Sequence, residues 1–132
     1  MVFFGEYQVS VTDGGRIVLP KKIRENLKGA SFVLTTGFDT CLAGYDREDW
    51  EERTTALNAV SILDTQDIVK KRKIFSGAHE ITIDEQGRLV VPKSLIGRLA
   101  DWPKQLIVIG VGDHFELWEE GRWKEYVHTT EL

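Results

Sequence analysis

The sequence predicts an α+β protein, mainly β, in which two β-turn-β-α-β-β repeats share one core. Three observations carry that prediction. First, residues 5–24 (GEYQVSVTDGGRIVLPKKIR) lie without a gap on residues 77–96 (GAHEITIDEQGRLVVPKSLI), with six of the twenty positions identical. Second, with one residue inserted, TTGFDTCLAGYDREDW (35–50) lies on VIGVGDHFELWEEGRW (108–123), so that Tyr45 meets Trp118 and Trp50 meets Trp123. Self-similarity of this length marks a duplication. Third, YQVSVT and HEITID alternate as half-buried strands do, with Val9 and Val11, then Ile81 and Ile83, on one face. A unit of about 45–50 residues is marginal as a lone core. The halves are therefore expected to complete a shared core about a pseudo-twofold axis.

Each element has its own local reason. TDGGR and DEQGR read as hairpin turns, because Gly14, Gly15 and Gly87 enter positive φ cheaply. The following strands, RIVLP and RLVVP, end at prolines that cannot continue a ladder but suit a helix start. KKIRENL and KSLIGRL then read as helices, with Ile23/Leu27 and Leu95/Leu99 spaced i, i+4. Two more strands close each half: SFVLTT with CLAGY, and QLIVIGV with FELWE. LIVIGV is apolar on both faces and is expected to lie centrally or at a subunit contact. Between the halves, DREDWEERTTALNAV predicts a helix capped by Asp46, and LDTQDIVKKRKIF a second one starting near Asp64 or Thr65. EEGRWKEYVH predicts a last helix. The divisions are residues 5–48 for the first repeat, 49–76 for a helical connector, 77–120 for the second repeat and 121–132 for a helical tail.

Composition excludes several classes. No run approaches the roughly 18 apolar residues of a membrane span, and MVFFGEYQ lacks the basic start of a secretory leader. A single cysteine, Cys41, cannot form an internal disulfide and fits a reducing cytoplasm. It reads as an inert buried thiol at the start of a strand. His79, His114 and His128 show no metal-ligand spacing, and no nucleophile–base motif occurs. The expectation is a non-enzyme without metal or cofactor. Trp50 and Trp123, at equivalent positions, are expected to be structural.

Net charge is −4, which by itself argues against nucleic acid, but its distribution reverses the argument. Residues 12–24 carry Arg16, Lys21, Lys22 and Arg24 against Asp13 alone, and residues 84–98 carry Arg88, Lys93 and Arg98 against Asp84 and Glu85. Positive charge gathers on the two repeated corners. An arginine on a rigid turn presents a planar fork that grips phosphate or reads guanine in the major groove. Lys21 and Lys93 follow prolines at helix starts, where free N–H groups also favour an anion. One Gly-Arg turn is commonplace; two in register favour a DNA-contacting set of Arg16, Arg88, Lys21, Lys22, Lys93, Gly15 and Gly87. KKRK at 70–73 is the densest basic run, but its consecutive residues point to different helix faces, so it reads as a solvated helix end.

GEYQVSVTDGGRIVLPKKIR, GAHEITIDEQGRLVVPKSLIGRLA, the CLAGYDREDWEE segment and the IGVGDHFELWEEGRWKEY ending resemble the two halves of the MraZ family, regulators built from tandem AbrB/SpoVT-type domains. The family's mark is a D-x-x-x-R turn in each half. Asp84 to Arg88 matches it; in the first half Thr12 stands in the Asp place while Arg16 is kept. The resemblance implies a swapped-hairpin AbrB-like barrel within one chain, with Phe3 and Phe4 packed into it or onto a neighbour. It implies a homo-oligomeric ring, and a cytoplasmic, nucleoid-associated regulator of transcription. The partner it implies is double-stranded promoter DNA, bound at short direct repeats upstream of the division and cell-wall gene cluster. It places Arg16 and Arg88 on the DNA. Asp84 is expected to cap its turn and orient Arg88, and Thr12 to do the same more weakly for Arg16, unless Asp13 takes over the cap or instead repels phosphate. The reading from a different class is a ring-forming scaffold that uses the fold for a protein partner.

Overall fold

The computed structural model describes residues 2–59 and 65–132. In chain order come β1 (Glu6–Ser10), β2 (Arg16–Val18), α1 (Lys21–Arg24), β3 (Ser31–Thr36), β4 (Leu42–Asp46), α2 (Arg47–Asn58) and α3 (Thr65–Ser76). The second series is β5 (His79–Thr82), β6 (Arg88–Val90), α4 (Lys93–Leu99), β7 (Gln105–Gly110), β8 (Phe115–Glu119) and α5 (Glu120–Thr130). The repeated β-turn-β-α-β-β order is therefore present in both halves. Asp64, expected near the start of α3, lies outside the described residues.

Six strands form one antiparallel sheet in the order β1-β7-β8-β4-β3-β5, and β2 and β6 form a separate two-stranded ribbon. Exchanging each strand for its repeat partner reverses the sheet order and leaves it unchanged. The pseudo-twofold axis thus passes between β8 and β4 and again between β2 and β6. Registers agree: Ala43 faces Glu116 at the centre of one pair, and Ile17 faces Leu89 at the centre of the other. The apolar run of β7 lies inside the sheet, between β1 and β8, as its two-faced hydrophobicity requires.

The structure corrects three expectations. TDGGR and DEQGR do turn tightly: the Thr12 and Asp84 N–H groups donate to the Arg16 and Arg88 carbonyls at 2.9 and 3.1 Å. The strands beyond them then part, however, and β1 pairs with β7 while β2 pairs with β6. Neither arm of the turn completes a hairpin with the other. The sheet is also open rather than a closed barrel, because β1 and β5 stand at its two ends and the short β2 and β6 pair with each other. Lastly, KKIRENL makes only one helical turn. Asn26 and Leu27 donate to carbonyls three residues back, and the Asn26 amide takes the Lys22 carbonyl at 3.1 Å, the local competition that makes Asn a poor helix interior. KSLIGRL, lacking such a residue, is helical throughout as α4.

One apolar core joins both halves. Ile17, Leu19 and Ile23 meet their counterparts Leu89, Val91 and Leu95 over a sheet face formed by Phe32, Leu34, Leu106, Val108 and Phe115. Phe3 packs 5.5 Å from the Phe115 ring, and Phe32 5.3 Å from its other side. Each such side chain stabilises by about 1.5–3 kcal/mol, so the repeats hold each other together. Phe4, by contrast, is exposed. Asp46 occupies the N-cap position of α2 but makes no cap bond. It is buried, and one carboxylate oxygen accepts the Lys28 N–H at 2.9 Å.

Candidate nucleic-acid interface

The β2/β6 ribbon carries the two arginines, and alternation decides where they point. Ile17 and Leu89 are buried; Arg16, Val18, Arg88 and Val90 are exposed. Arg16 stands opposite Val90 and Arg88 opposite Val18. The arginines are therefore diagonal neighbours on one outward face, with Cα atoms about 7–8 Å apart by sheet geometry. They are adjacent, not two tips a groove repeat apart. Together they border a shallow hollow of about 530 Å³ that Glu80, Thr82 and Asp84 also line. Sequence reasoning did not place Glu80 or Thr82 there. The alternation of HEITID, which buries Ile81 and Ile83, was the signal for their exposure.

The two corners differ. The Asp84 carboxylate accepts the Gln86 and Arg88 backbone N–H groups at 2.9 and 2.8 Å and the Arg88 Nε at 2.7 Å. The side-chain bond from Arg88, then the backbone N–H of Arg88, holds its carboxyl below the usual aspartate range. Asp84 thus caps the turn and fixes the arginine in one act. At the other corner the Thr12 hydroxyl donates only to the Arg16 carbonyl, at 3.4 Å. Asp13 takes no part in any hydrogen bond or ion pair among the described residues, and the Arg16 guanidinium is likewise unpaired there. Arg88 is oriented by its ion pair with Asp84, whereas Arg16 has no such partner among the described residues.

Gly15 and Gly87 act on the backbone. Their φ values are +81° and +83°, a region other residues enter at a cost. The carbonyl of each accepts an N–H from the opposite repeat, Val91 to Gly15 at 2.9 Å and Leu19 to Gly87 at 2.8 Å. A Cβ on Gly15 would lie 2.9 Å from the Val91 carbonyl oxygen. These glycines tie each corner to the strand of its sister repeat. Lys21 and Lys22 open α1 and Lys93 opens α4, all exposed, directly after Pro20 and Pro92 at the N-caps. They do not line the arginine hollow. Arg24, in the same basic run, is committed inward: its Nε donates to the Leu19 carbonyl at 2.9 Å.

A two-stranded ribbon is narrow enough to enter a major groove, and a pair of guanidinium forks on its face suits phosphate oxygens or guanine edges. Comparison with known proteins gives this geometry its context. The profile of the family described as "MraZ protein, putative antitoxin-like" matches residues 2–72 and 74–132. A protein of Acetivibrio thermocellus called "Transcriptional regulator MraZ" is 38% identical over 125 residues, covering 95% of this chain and 86% of its own. Proteins of the same name from Ligilactobacillus salivarius and Clostridium tetani are each 39% identical, over 98% and 95% of this chain and 90% and 87% of theirs. The chain belongs to the MraZ family.

Proposed function

We propose that this protein is a DNA-binding transcriptional regulator that reads short direct repeats upstream of the division and cell-wall gene cluster. The observation that carries the reading is the outward ribbon face with Arg16 and Arg88 side by side. In this reading the crossed corners are the swapped hairpins of an AbrB-like unit, and the two repeats of residues 5–48 and 77–120 form a single reading head. Val18 and Val90, half exposed beside the arginines, offer apolar contact to thymine methyls. Lys21, Lys22 and Lys93 hold phosphates on either side. A homo-oligomeric ring on the nucleoid presents several such heads to a repeat array, and effective concentration then compensates for a weak single contact.

Direct titration tests the proposal. The duplex upstream of the chain's own gene and a scrambled duplex are titrated at several salt concentrations, with light scattering to size the protein. Preference for the native duplex, with affinity falling about 0.9 log units per log unit of salt for each phosphate engaged, supports it. A well-folded protein that binds neither duplex at low salt contradicts it and favours the scaffold reading.

A further inference from the structure

The two repeats carry matched aromatic residues on the outer face of the sheet but use them differently. In the second repeat Trp118, Trp123 and Tyr126 close on one another, Trp118 and Tyr126 at 4.8 Å and Trp123 stacked on Tyr126 at 5.9 Å. In the first repeat Tyr45 and Trp50 hold the places of the two tryptophans, 5.6 Å apart. The place of Tyr126 is taken by Arg53, which is drawn aside to Asp49 and Asp113 at 2.9 Å each. The ring at the place of Tyr126 is absent, Trp50 meeting Phe75 of α3 edge-on at 6.1 Å instead, and a cavity of about 420 Å³ stands beside Tyr45 and Trp50 under α2 and α3.

The chemistry of that cavity is specific. Its floor is aromatic, because His114 lies stacked on Tyr45 at 5.1 Å with only 20° between the rings. The acidic groups nearby are already committed: Glu116 accepts from Trp118 and bonds His114, and Asp113 holds Arg53 and His114. Lys70 and Lys73 line the wall, and their ammonium groups have no hydrogen bond or ion pair among the described residues. They are i and i+3 on α3, and so share one helix face. This divides the KKRK run, giving two of its cations a common target.

We propose that this cavity binds a small aromatic anion. Its ring lies against Tyr45, Trp50 and His114, and its acidic group between Lys70 and Lys73. Size and lining fit a small-molecule site, apolar walls with a few convergent polar groups in a volume of about 300–1,000 Å³. The site is independent of the arginine ribbon and of whether the chain binds DNA.

The test uses the full chain and 1-anilinonaphthalene-8-sulfonate, with its uncharged analogue N-phenyl-1-naphthylamine alongside. One saturable site per chain is expected for the sulfonate, at least tenfold tighter than for the neutral analogue. The double variant Lys70→Gln, Lys73→Gln should weaken the sulfonate about tenfold and leave the neutral analogue unmoved. Thr54→Phe, which places a ring in the cavity from α2, should abolish both. Circular dichroism confirms that the variants keep the native fold. Absence of saturable binding, equal affinity for the two compounds, or binding untouched by Thr54→Phe would each overturn the proposal.

Discussion

Arg88 and Arg16 began as copies of one residue and now stand in different surroundings. The Asp84 carboxylate closes three hydrogen bonds around its corner, whereas Thr12 makes one long bond at the other. Asp84→Ala should therefore lower the thermal midpoint more than Thr12→Ala does, as followed by circular dichroism. Equal shifts would show that the carboxylate does not hold the turn. Because its pKa is depressed in the fold, the stabilisation from Asp84 is present above its ordinary value and lost as pH falls through the folded one. Gly15→Ala meets both a positive φ and the backbone of Val91, and should cost about 1–3 kcal/mol in urea unfolding. A smaller loss would mean that the two repeats tolerate separation at that point. The Asp-to-Arg spacing and the paired glycines were readable from the residues alone. The closeness of the two arginines was not, since it depends on β2 pairing with β6 rather than with its own neighbour in the chain.

Strand alternation predicts faces but not partners, and the elements show where that matters. FELWE forms a strand over its full length and KSLIGRL a helix over its full length, because each has a periodicity that burial rewards. The exchange of partners across the repeats satisfies the same periodicity and leaves no local mark. Asp46 reads as a helix cap, yet its carboxylate accepts the Lys28 N–H instead, a contact from another element that leaves no local mark. On the outer face, the bend before β8 sets His114 between Asp113 and Glu116, with ring nitrogens 2.6 and 3.1 Å from their oxygens. The hydrogen bond to Glu116 raises the His114 pKa, burial opposes it, and Asp113 adds to the rise. Burial pushes the Glu116 carboxyl up, and the bonds from His114 and Trp118 overcome this, so it falls below its usual value. A raised histidine contributes its full stability below the ordinary value of 6.5 and loses it as pH rises through the folded value. The thermal midpoint of the wild type should thus fall relative to His114→Gln as pH rises above 6.5. A difference that is constant with pH would contradict the charged cluster.

Six of the eight strands among the described residues belong to the shared sheet, and β1, β3, β4 and β5 all have a ladder partner from the opposite repeat. The duplication visible in the residues is thus one folding unit rather than two beads. Residues 77–132 alone keep the β7/β8 pair but lose every partner from the first repeat. This fragment should be unfolded as a monomer, or should dimerise with a second copy standing in for the missing half. Size-exclusion chromatography with circular dichroism distinguishes these; a compact folded monomer would contradict the shared core. The same interleaving places the two arginine corners on one face of one chain. Fluorescence anisotropy of the wild type, Arg16→Ala and Arg88→Ala on the duplex upstream of the chain's own gene tests their role in DNA binding most directly. Arg88→Ala is expected to lose discrimination between native and scrambled duplex, and Arg16→Ala to weaken both and reduce the salt slope by about 1. Native binding retained by both folded variants would contradict that role.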